Sequence, residues 1–202
     1  MQKREVKAIL FDLDGVLVNS EDAWYHTYND MIATYGIKAI SRKEFSKIFG
    51  NTVEKNAKSV INITAKDANR LAIKYFAKNR KYVTVFPKSI DILEKLSDSK
   101  LKIALITNTP KRILMHTLKH YKLKKYFKAI VTVDDVKRGK PAPDMVIKAC
   151  RILKVNPKNT ILIGDSKNDM AAGRRAGCIS VGYGINGDYK ISSLKEILGM
   201  LS

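Results

Sequence analysis

The sequence predicts an α/β fold, in which a doubly wound parallel sheet carries an inserted α-helical segment. Four short apolar runs have the length and composition of buried strands, and they begin at Ile9, Ile103, Ala129 and Ile161. From Phe86 onward such runs alternate with helical patterns, which is typical of βαβ units over a parallel sheet. After the first run, about seventy residues have helical periodicity and no strand signal, which predicts the insert.

The insert is predicted to hold four helices. Ser20 is the expected N-cap of the first helix, because apolar residues recur at helical spacing after it. Ser41 followed by Glu44 has the form of a capping box and predicts the start of a second. Apolar patterns over residues 53–61 and 68–76 predict the third and fourth.

Beyond the insert, helices are expected over residues 90–96, 111–121 and 143–153. The chain has 202 residues, which suits one ordinary domain with a modest insertion. The predicted domain boundaries assign residues 1–17 and 84–202 to the α/β core and residues 18–83 to the helical insert.

Composition and cysteine usage argue against several classes of protein. No apolar run approaches about 18 residues, and the N-terminal run is too short for a signal peptide. We therefore expect a soluble cytoplasmic protein without a membrane partner. Cys150 and Cys178 lack CxxC spacing and paired histidines, so they are expected to be small core residues. We expect a monomer or a weak homodimer, because no exposed apolar stripe stands out.

The charge is strongly basic, with 38 Lys and Arg against 19 Asp and Glu. Such a field attracts polyanions, which would include nucleic acid. The ratio of basic to acidic residues is nevertheless the same in both predicted domains, which favours a general lysine habit over one binding patch. The densest basic segment, residues 119–128, interleaves lysines with aromatic residues, and we expect those aromatic residues to pack inward.

Polar and charged side chains follow the four predicted strands. The carboxyl ends of strands in an open parallel sheet form the ligand crevice, so these side chains should converge on one site. Several carboxylates beside one lysine suit a divalent cation and a phosphate group. The residues concerned are Asp12, Asp14, Thr107, Asn108, Lys140, Asp165 and Asp169.

Asp12 and Asp14 are separated by one residue at the end of a strand, so both carboxylates point to the same side while Leu13 turns into the core. Gly15 lets the backbone leave the strand sharply. Two carboxylates this close repel each other unless a cation lies between them or one is protonated. The pair therefore indicates a metal site or a nucleophile with an acid/base partner, and the alternative is a solvated turn.

The other groups also have structural alternatives. Asp165 and Asp169 are four residues apart where a strand becomes a helix, so both can face the crevice, although N-capping would also explain them. Thr107 and Asn108 offer a hydroxyl and an amide to an oxyanion, but they could equally cap the next helix. Lys140 lies on a segment made rigid by a proline, whereas an isolated lysine is usually at the surface.

The order of these motifs resembles the haloacid dehalogenase (HAD) superfamily of phosphotransferases, and the resemblance covers nearly the whole chain. Residues 11–20, Phe-Asp-Leu-Asp-Gly-Val-Leu-Val-Asn-Ser, are close to the opening signature of that family. Residues 138–144 and 164–169 look like its later motifs. The resemblance implies a Rossmann-like HAD core with an inserted α-helical cap, as in phosphoglycolate phosphatase-like and β-phosphoglucomutase-like members.

The resemblance also implies a role for each carboxylate. Asp12 would attack phosphorus and form an aspartyl-phosphate, and Asp14 would serve as general acid and then as general base. A Mg²⁺ cofactor would lie between Asp12, the backbone carbonyl of Asp14, and Asp165. Asp169 would order the shell of the metal ion or Lys140.

The remaining implied roles concern the phosphate and the leaving group. The residues expected to hold the phosphoryl oxygens are Thr107, Asn108 and Lys140. A cap turn resembles the substrate-specificity loop of relatives, although a plain turn between helices explains it equally well. Its residues are Gly50, Asn51 and Thr52.

The leading functional hypothesis is a Mg²⁺-dependent phosphatase for a small phosphorylated metabolite, such as phosphoglycolate or a sugar phosphate. A phosphomutase acting on a sugar phosphate would share every motif. A nucleic-acid end-processing or binding protein would use the basic charge and is the alternative that we expect least.

Overall fold

The protein, described by a computed structural model over residues 5–201, is an α/β structure with a six-stranded sheet and a two-stranded ribbon. The strands are β1 (Ala8–Phe11), β2 (Val18–Asn19), β3 (Thr84–Val85), β4 (Lys102–Thr107), β5 (Ala129–Thr132), β6 (Thr160–Gly164), β7 (Ile179–Tyr183) and β8 (Tyr189–Ile191). The α-helices are α1 (Glu21–Ala33), α2 (Arg42–Ser46), α3 (Val53–Val60), α4 (Ala65–Asn79), α5 (Pro87–Ser97), α6 (Lys111–His120), α7 (Asp144–Leu153), α8 (Lys167–Ala176) and α9 (Glu196–Met200).

The large sheet has the order β5-β4-β1-β6-β7-β8, and each neighbouring pair is parallel. The chain builds outward from β1 through β4 to β5 and then returns to place β6 on the other side of β1. The strand order therefore reverses at β1, and ligands in open α/β sheets bind at such a reversal. This topology confirms the predicted doubly wound parallel sheet and directs attention to the residues that follow β1.

Strand β1 is buried on both faces, and its residues alternate between two apolar layers. Ile9 and Phe11 pack toward helices α5 and α6 and toward the inserted helices, whereas Ala8 and Leu10 pack toward α7 and α8. All four are fully buried. The apolar character of this run follows from burial on both sides, as expected for a central parallel strand.

The four predicted strands all occur, but β2, β3, β7 and β8 were not predicted, and β2 lies within the segment expected to be helical. Strand β7 contains Ser180 and Gly182 between apolar residues, which interrupts the apolar run that would have indicated it. Strand β8 has three residues at the edge of the sheet, and two of these are exposed. The polar composition of an exposed edge strand resembles that of a loop, so the sequence pattern does not reveal it.

Helices α1–α4 lie between β2 and β3, which pair as a short antiparallel ribbon. The indole ring of Trp24 packs against the ring of Phe76 at a centroid distance of 4.7 Å, and this contact joins α1 to α4. The capping box of Ser41 and Glu44 is confirmed at the start of α2. Ser20 holds the predicted N-cap position of α1, although its side chain forms no capping hydrogen bond.

Two further expectations about the core are confirmed. Cys150 and Cys178 are buried in the apolar layer that contains α7 and α8. In the basic segment 119–128, Tyr126 and Phe127 are buried in the other apolar layer, and Tyr121 is half-buried and packs against that layer. No helix within residues 5–201 combines the length and the apolar character needed to cross a lipid bilayer.

Candidate active site

Asp12 and Asp14 leave the carboxyl end of β1 and border the same crevice. Asp12 is 5% exposed, and Leu13 between them is buried in the core, as the alternation of a strand requires. Gly15 has a φ of +80°, and a Cβ atom there would lie 1.9 Å from a carboxylate oxygen of Asp165. The glycine therefore allows the turn and also leaves room for the carboxylate that arrives from β6.

Lys140 is buried at the centre of the site, with 3% of its surface exposed. Its Nζ lies 2.7 Å from Oδ1 of Asp12 and 2.7 Å from Oδ1 of Asp169, and it donates to the carbonyl of Ile106 at 3.3 Å. Burial opposes its charge, but the two carboxylates raise the pKa of Lys140 above its usual value. Lys140 is therefore a buried cation and not the surface lysine that its isolated position in the sequence would suggest.

Asp169 connects the lysine to the start of helix α8. Its Oδ1 accepts from Lys140, while its Oδ2 accepts from the backbone N–H of Ser166 at 3.2 Å and from the Ser166 hydroxyl. Ser166 in turn accepts from the backbone N–H of Asp169 at 3.3 Å, which completes a capping box. Ser166 therefore caps α8, as the N-capping alternative expects, and the carboxylate of Asp169 that completes the capping box also contacts Lys140.

Asp12, Asp165 and Asp169 form a cluster whose carboxylate oxygens lie within 4.8 Å of one another. Burial and the charge of Asp169 raise the pKa of Asp12 well above its usual value, against the effect of Lys140. Burial and the charge of Asp169 also raise the pKa of Asp165 to about 7. Carboxylates gathered under mutual repulsion suit a hard divalent cation, which would relieve the repulsion. The donor set therefore fits a divalent metal.

The side chain of Asp14 is held apart from that cluster. Its Oδ2 accepts from the hydroxyl of Thr109 at 2.6 Å and lies 3.5 Å from the hydroxyl of Thr107, and its Oδ1 accepts from the hydroxyl of Ser20. Thr107 also accepts the backbone N–H of Thr109 at 3.0 Å. The hydroxyl of Ser20 is thus used in the crevice, which explains why it does not cap α1.

Asn108 connects the core with the insert. Its Nδ2 donates to the carbonyl of Lys140 at 3.0 Å and to the carbonyl of Gly50 at 2.9 Å, and its Oδ1 accepts from the backbone N–H of Lys140 at 2.9 Å. Helix α6 begins after Pro110 without a side-chain cap. The alternative in which Thr107 or Asn108 caps this helix is therefore wrong.

The turn at Gly50 is held from a second direction by Asn168 of helix α8. The Nδ2 of Asn168 donates to the carbonyl of Gly50 at 3.2 Å and to Oδ1 of Asn51 at 3.1 Å. Thr52 lies beside the crevice: its hydroxyl caps α3 by accepting from the backbone N–H of Lys55 at 3.2 Å. The three cap residues therefore have different positions, with Gly50 and Asn51 lining the crevice and Thr52 capping a helix.

The crevice is roofed by the insert, and the space left is about 30 Å³, which is room for one or two water molecules. Sequence reasoning did not assign most of this roof to the site. Trp24 and Tyr28 were recognised as an apolar stripe of α1, but a helical pattern does not show which cavity the stripe faces. The residues of the roof are Trp24, Tyr28, Phe49, Gly50, Asn51, Val53 and Asn56.

The sequence profile of haloacid dehalogenase-like hydrolases matches residues 9–183, which include every residue of the site. The chain belongs to the haloacid dehalogenase-like hydrolase family. It is 32% identical over 201 residues to a phosphoglycolate phosphatase of Thiobacillus denitrificans, covering 94% of this chain and 88% of the relative. It is 27% identical over 209 residues to the pyrophosphatase PpaX of Halalkalibacterium halodurans, covering 98% and 97% respectively.

The fold of this HAD-like chain also matches solved structures. A β-phosphoglucomutase of Clostridium difficile superimposes with a TM-score of 0.83 and 22% identity, covering 97% of each chain. The family and the fold class predicted from the motifs are therefore confirmed. The curated relatives confirm the prediction of a phosphatase of this family.

Proposed function

We propose that this HAD-like protein is a Mg²⁺-dependent phosphatase that hydrolyses a small phosphate monoester through an aspartyl-phosphate intermediate. One observation carries the proposal: the Nζ of Lys140 lies 2.7 Å from both Asp12 and Asp169, next to a third carboxylate at Asp165. Burying a lysine between carboxylates at the carboxyl end of β1 costs desolvation free energy. Ionisable groups with perturbed pKa values of this kind are concentrated at functional sites. Such a constellation can hold a phosphoryl group by positioning and charge neutralisation.

In the proposed reaction, a carboxylate oxygen of Asp12 attacks phosphorus as the bond to the ester oxygen breaks. Asp14 gives a proton to that departing oxygen, which leaves as an alcohol. A water molecule then attacks the phosphorus of the aspartyl-phosphate, and Asp14 takes its proton as the bond to Asp12 breaks. The hydroxyls of Ser20 and Thr109 donate to the carboxylate of Asp14, which lines the crevice, and this orientation supports a role beside the leaving oxygen.

The phosphoryl oxygens would be held by Lys140, Thr107 and Asn108. Thr107 is the last residue of β4 and Asn108 follows it; both are almost fully buried and line the crevice with Lys140. Asn108 also fixes the backbone of Lys140 on both sides of the residue. Binding of phosphate here would therefore use groups that are already oriented, which lowers the cost of ordering them.

The metal would be held by Asp12, Asp165 and the backbone carbonyl of Asp14, with Asp169 orienting Lys140. When bound, Mg²⁺ would supply positive charge to the phosphoryl oxygens. Mg²⁺ is usually bound by one or two carboxylates and keeps several water ligands. Asp12 and Asp165 would supply two carboxylates.

We also propose that residues 18–83 act as a cap domain that opens and closes over the site. The support is the position of α1–α4 between two short strands, and the small space that remains above Asp12. The roof covers Asp12 and leaves a narrow space of about 30 Å³, so opening of the insert would widen the path by which a substrate enters.

The test is phosphate release from a panel of phosphorylated metabolites with and without Mg²⁺, for the wild type and Asp12→Asn. We expect Mg²⁺-dependent release that the substitution abolishes, and a phosphate-labelled aspartyl residue after acid quench. Absence of release from every compound would refute the phosphatase. Isomerisation of a sugar phosphate without net release would instead identify a phosphomutase, which would use the same residues.

A further inference from the structure

We propose that the leaving group of the substrate is small, electrically neutral and oxygen-bearing, as in the phosphate ester of a polyol, a sugar or a neutral hydroxy compound. This inference rests on the proposed function and narrows it. It predicts that phosphoglycolate and pyrophosphate, whose leaving groups are anionic, are poor substrates, although relatives of this chain carry those names.

The first observation is the charge of the roof. The side chains that the insert contributes to the crevice are three aromatic residues, one valine and two asparagines, and none of them is charged. They are Trp24, Tyr28, Phe49, Val53, Asn51 and Asn56. An anionic leaving group enclosed by this roof would lose water without gaining a cation, which is strongly unfavourable.

The lysines near the crevice, Lys140 and Lys55, are not placed to neutralise an anionic leaving group. Within residues 5–201, Lys140 is the one cation that lines the crevice; it is shared between Asp12 and Asp169 and would bind the phosphoryl group. Lys55 touches the roof through Oδ1 of Asn51 at 3.2 Å, but its side chain is exposed and is not part of the lining. Asp14, which lines the crevice and would give its proton to the leaving oxygen, also supplies no positive charge to an anionic leaving group.

The second observation is a hydrogen-bond donor that is available to a ligand. The Tyr28 hydroxyl accepts from Nδ2 of Asn56 at 2.9 Å, and within the described residues its own hydrogen has no acceptor. Burial raises the pKa of Tyr28 above its usual value, so the hydroxyl keeps this hydrogen at neutral pH. A substrate oxygen that accepts from Tyr28 would satisfy a polar group that is 4% exposed.

The amides of the roof hold each other instead of a ligand. Nδ2 of Asn51 donates to Oδ1 of Asn56 at 3.2 Å, and Oδ1 of Asn51 accepts from Asn168 and Lys55. Nδ2 of Asn56 also donates to the carbonyl of Ile48 at 3.0 Å. These contacts fix the phenol of Tyr28, while Trp24 and Phe49 offer apolar faces for the carbon skeleton of the leaving group.

The matched substrates for the test are phosphoglycolate and its amide, glycolamide phosphate, which have nearly the same shape and differ in the charge of the leaving group. We expect kcat/KM for the amide to exceed that for phosphoglycolate by at least ~10-fold, because the roof cannot compensate a buried carboxylate. Pyrophosphate and 2-hydroxyethyl phosphate extend the comparison to another anionic and another neutral leaving group.

A substitution that supplies a cation should reverse the preference. Phe49→Lys places an ammonium group in the half-buried part of the roof, and we expect it to raise the phosphoglycolate-to-amide ratio of kcat/KM by ~10-fold. The control is Ser46→Lys, which adds the same charge at an exposed position of α2 outside the lining. The control should leave the ratio unchanged.

Tyr28→Phe tests the donor. We expect the preference for 2-hydroxyethyl phosphate over ethyl phosphate to fall to about one, because the substrate oxygen loses its partner. If phosphoglycolate or pyrophosphate is turned over as fast as the neutral esters, the inference is overturned while the phosphatase stands. If no compound releases phosphate in Mg²⁺, the proposed function fails. Circular dichroism of each variant excludes unfolding as the cause.

Discussion

The two walls of the crevice differ in charge, in origin and in the part of the substrate that they would meet. The core wall lies at the ends of β1 and β4, and its charged lining residues are Asp12, Asp14 and Lys140. Asp165 and Asp169 belong to the same carboxylate cluster as Asp12, and Asp169 contacts Lys140. The roof is built from α1, α3 and the turn before α3, and its side chains are neutral. The charged side chains thus lie on the core side, where they would neutralise the phosphoryl group. The neutral side chains of the roof would contact the leaving group and determine which leaving groups are accepted.

This division predicts that substitutions in the core wall affect every substrate, while substitutions in the roof affect substrates unequally. The largest effect should come from Asp12→Asn. The amide cannot form the aspartyl-phosphate, so we expect kcat to fall by ~10⁴-fold or more for all substrates. Asp91→Asn, at an exposed position of α5, is the control and should retain activity. Residual activity that depended on the substrate would contradict the division between the walls.

Lys140→Met should affect both stability and activity. It leaves Asp12 and Asp169 buried without their cation, which we expect to lower the free energy of unfolding by roughly 3–5 kcal/mol. Burial already raises the pKa of Asp12, which would take up a proton in the folded state once the lysine is gone, so the loss should be smaller at about pH 5 than at about pH 8. Urea unfolding at the two pH values measures this difference, and an equal loss at both would refute it.

Removal of divalent cations should have the next largest effect. The pKa of Asp165 is raised to about 7, so its folded form holds a proton that the unfolded form releases near its ordinary pKa of 3.8. The stability that this proton contributes is fully present below about pH 4 and is lost as pH rises through about 7. We expect the unfolding temperature in EDTA to fall across that interval.

Added Mg²⁺ should oppose this loss, because it replaces the proton among the carboxylates. At 100 times its Kd, Mg²⁺ would add about 2.7 kcal/mol to the stability of the folded state. Differential scanning fluorimetry at about pH 8 with and without Mg²⁺ measures the gain, and the same scan on Asp165→Asn gives the matched comparison. A gain that survives that substitution would place the metal elsewhere.

The smallest effect is expected where the two walls meet. Asn168→Ala removes the hydrogen bonds to the carbonyl of Gly50 and to Asn51, which should weaken closure by about 1 kcal/mol and lower kcat/KM about fivefold. The ratio between neutral and anionic substrates should not change, since the roof keeps its side chains. Lys167→Ala, at the exposed neighbouring position, is the control. A change in the ratio of kcat/KM between neutral and anionic substrates would mean that closure of the insert also determines substrate preference.

The sequence was informative about the core wall because its residues depend on local rules. Each of Asp12, Thr107 and Asp165 directly follows a strand that its own apolar run predicts, and parallel topology then brings them together. The roof was less predictable because it depends on the orientation of the inserted helices. Tyr28 has the same helical spacing as its buried neighbours, and nothing in that spacing shows that it lines the crevice.

Asn168 and Thr109 illustrate a second reason for missing site residues. Both stand within or beside predicted motifs, but their partners, the carbonyl of Gly50 and the carboxylate of Asp14, are more than 90 residues away in the chain. A side-chain amide or hydroxyl has no pattern of its own in the sequence. Such contacts become visible when the tertiary structure places both partners.

The carbonyl of Gly50, which accepts hydrogen bonds from both Asn108 and Asn168, has a consequence for how new specificities can arise. The acceptor belongs to the backbone, so substitutions of the roof side chains leave it in place. Substitutions of Phe49 or Val53 during evolution could therefore change the leaving group that is accepted. They would keep the hydrogen bonds from Asn108 and Asn168 that hold the insert against the core. Mutations that change preference and mutations that abolish turnover would then be largely different sets, which makes gradual adaptation to a new metabolite accessible.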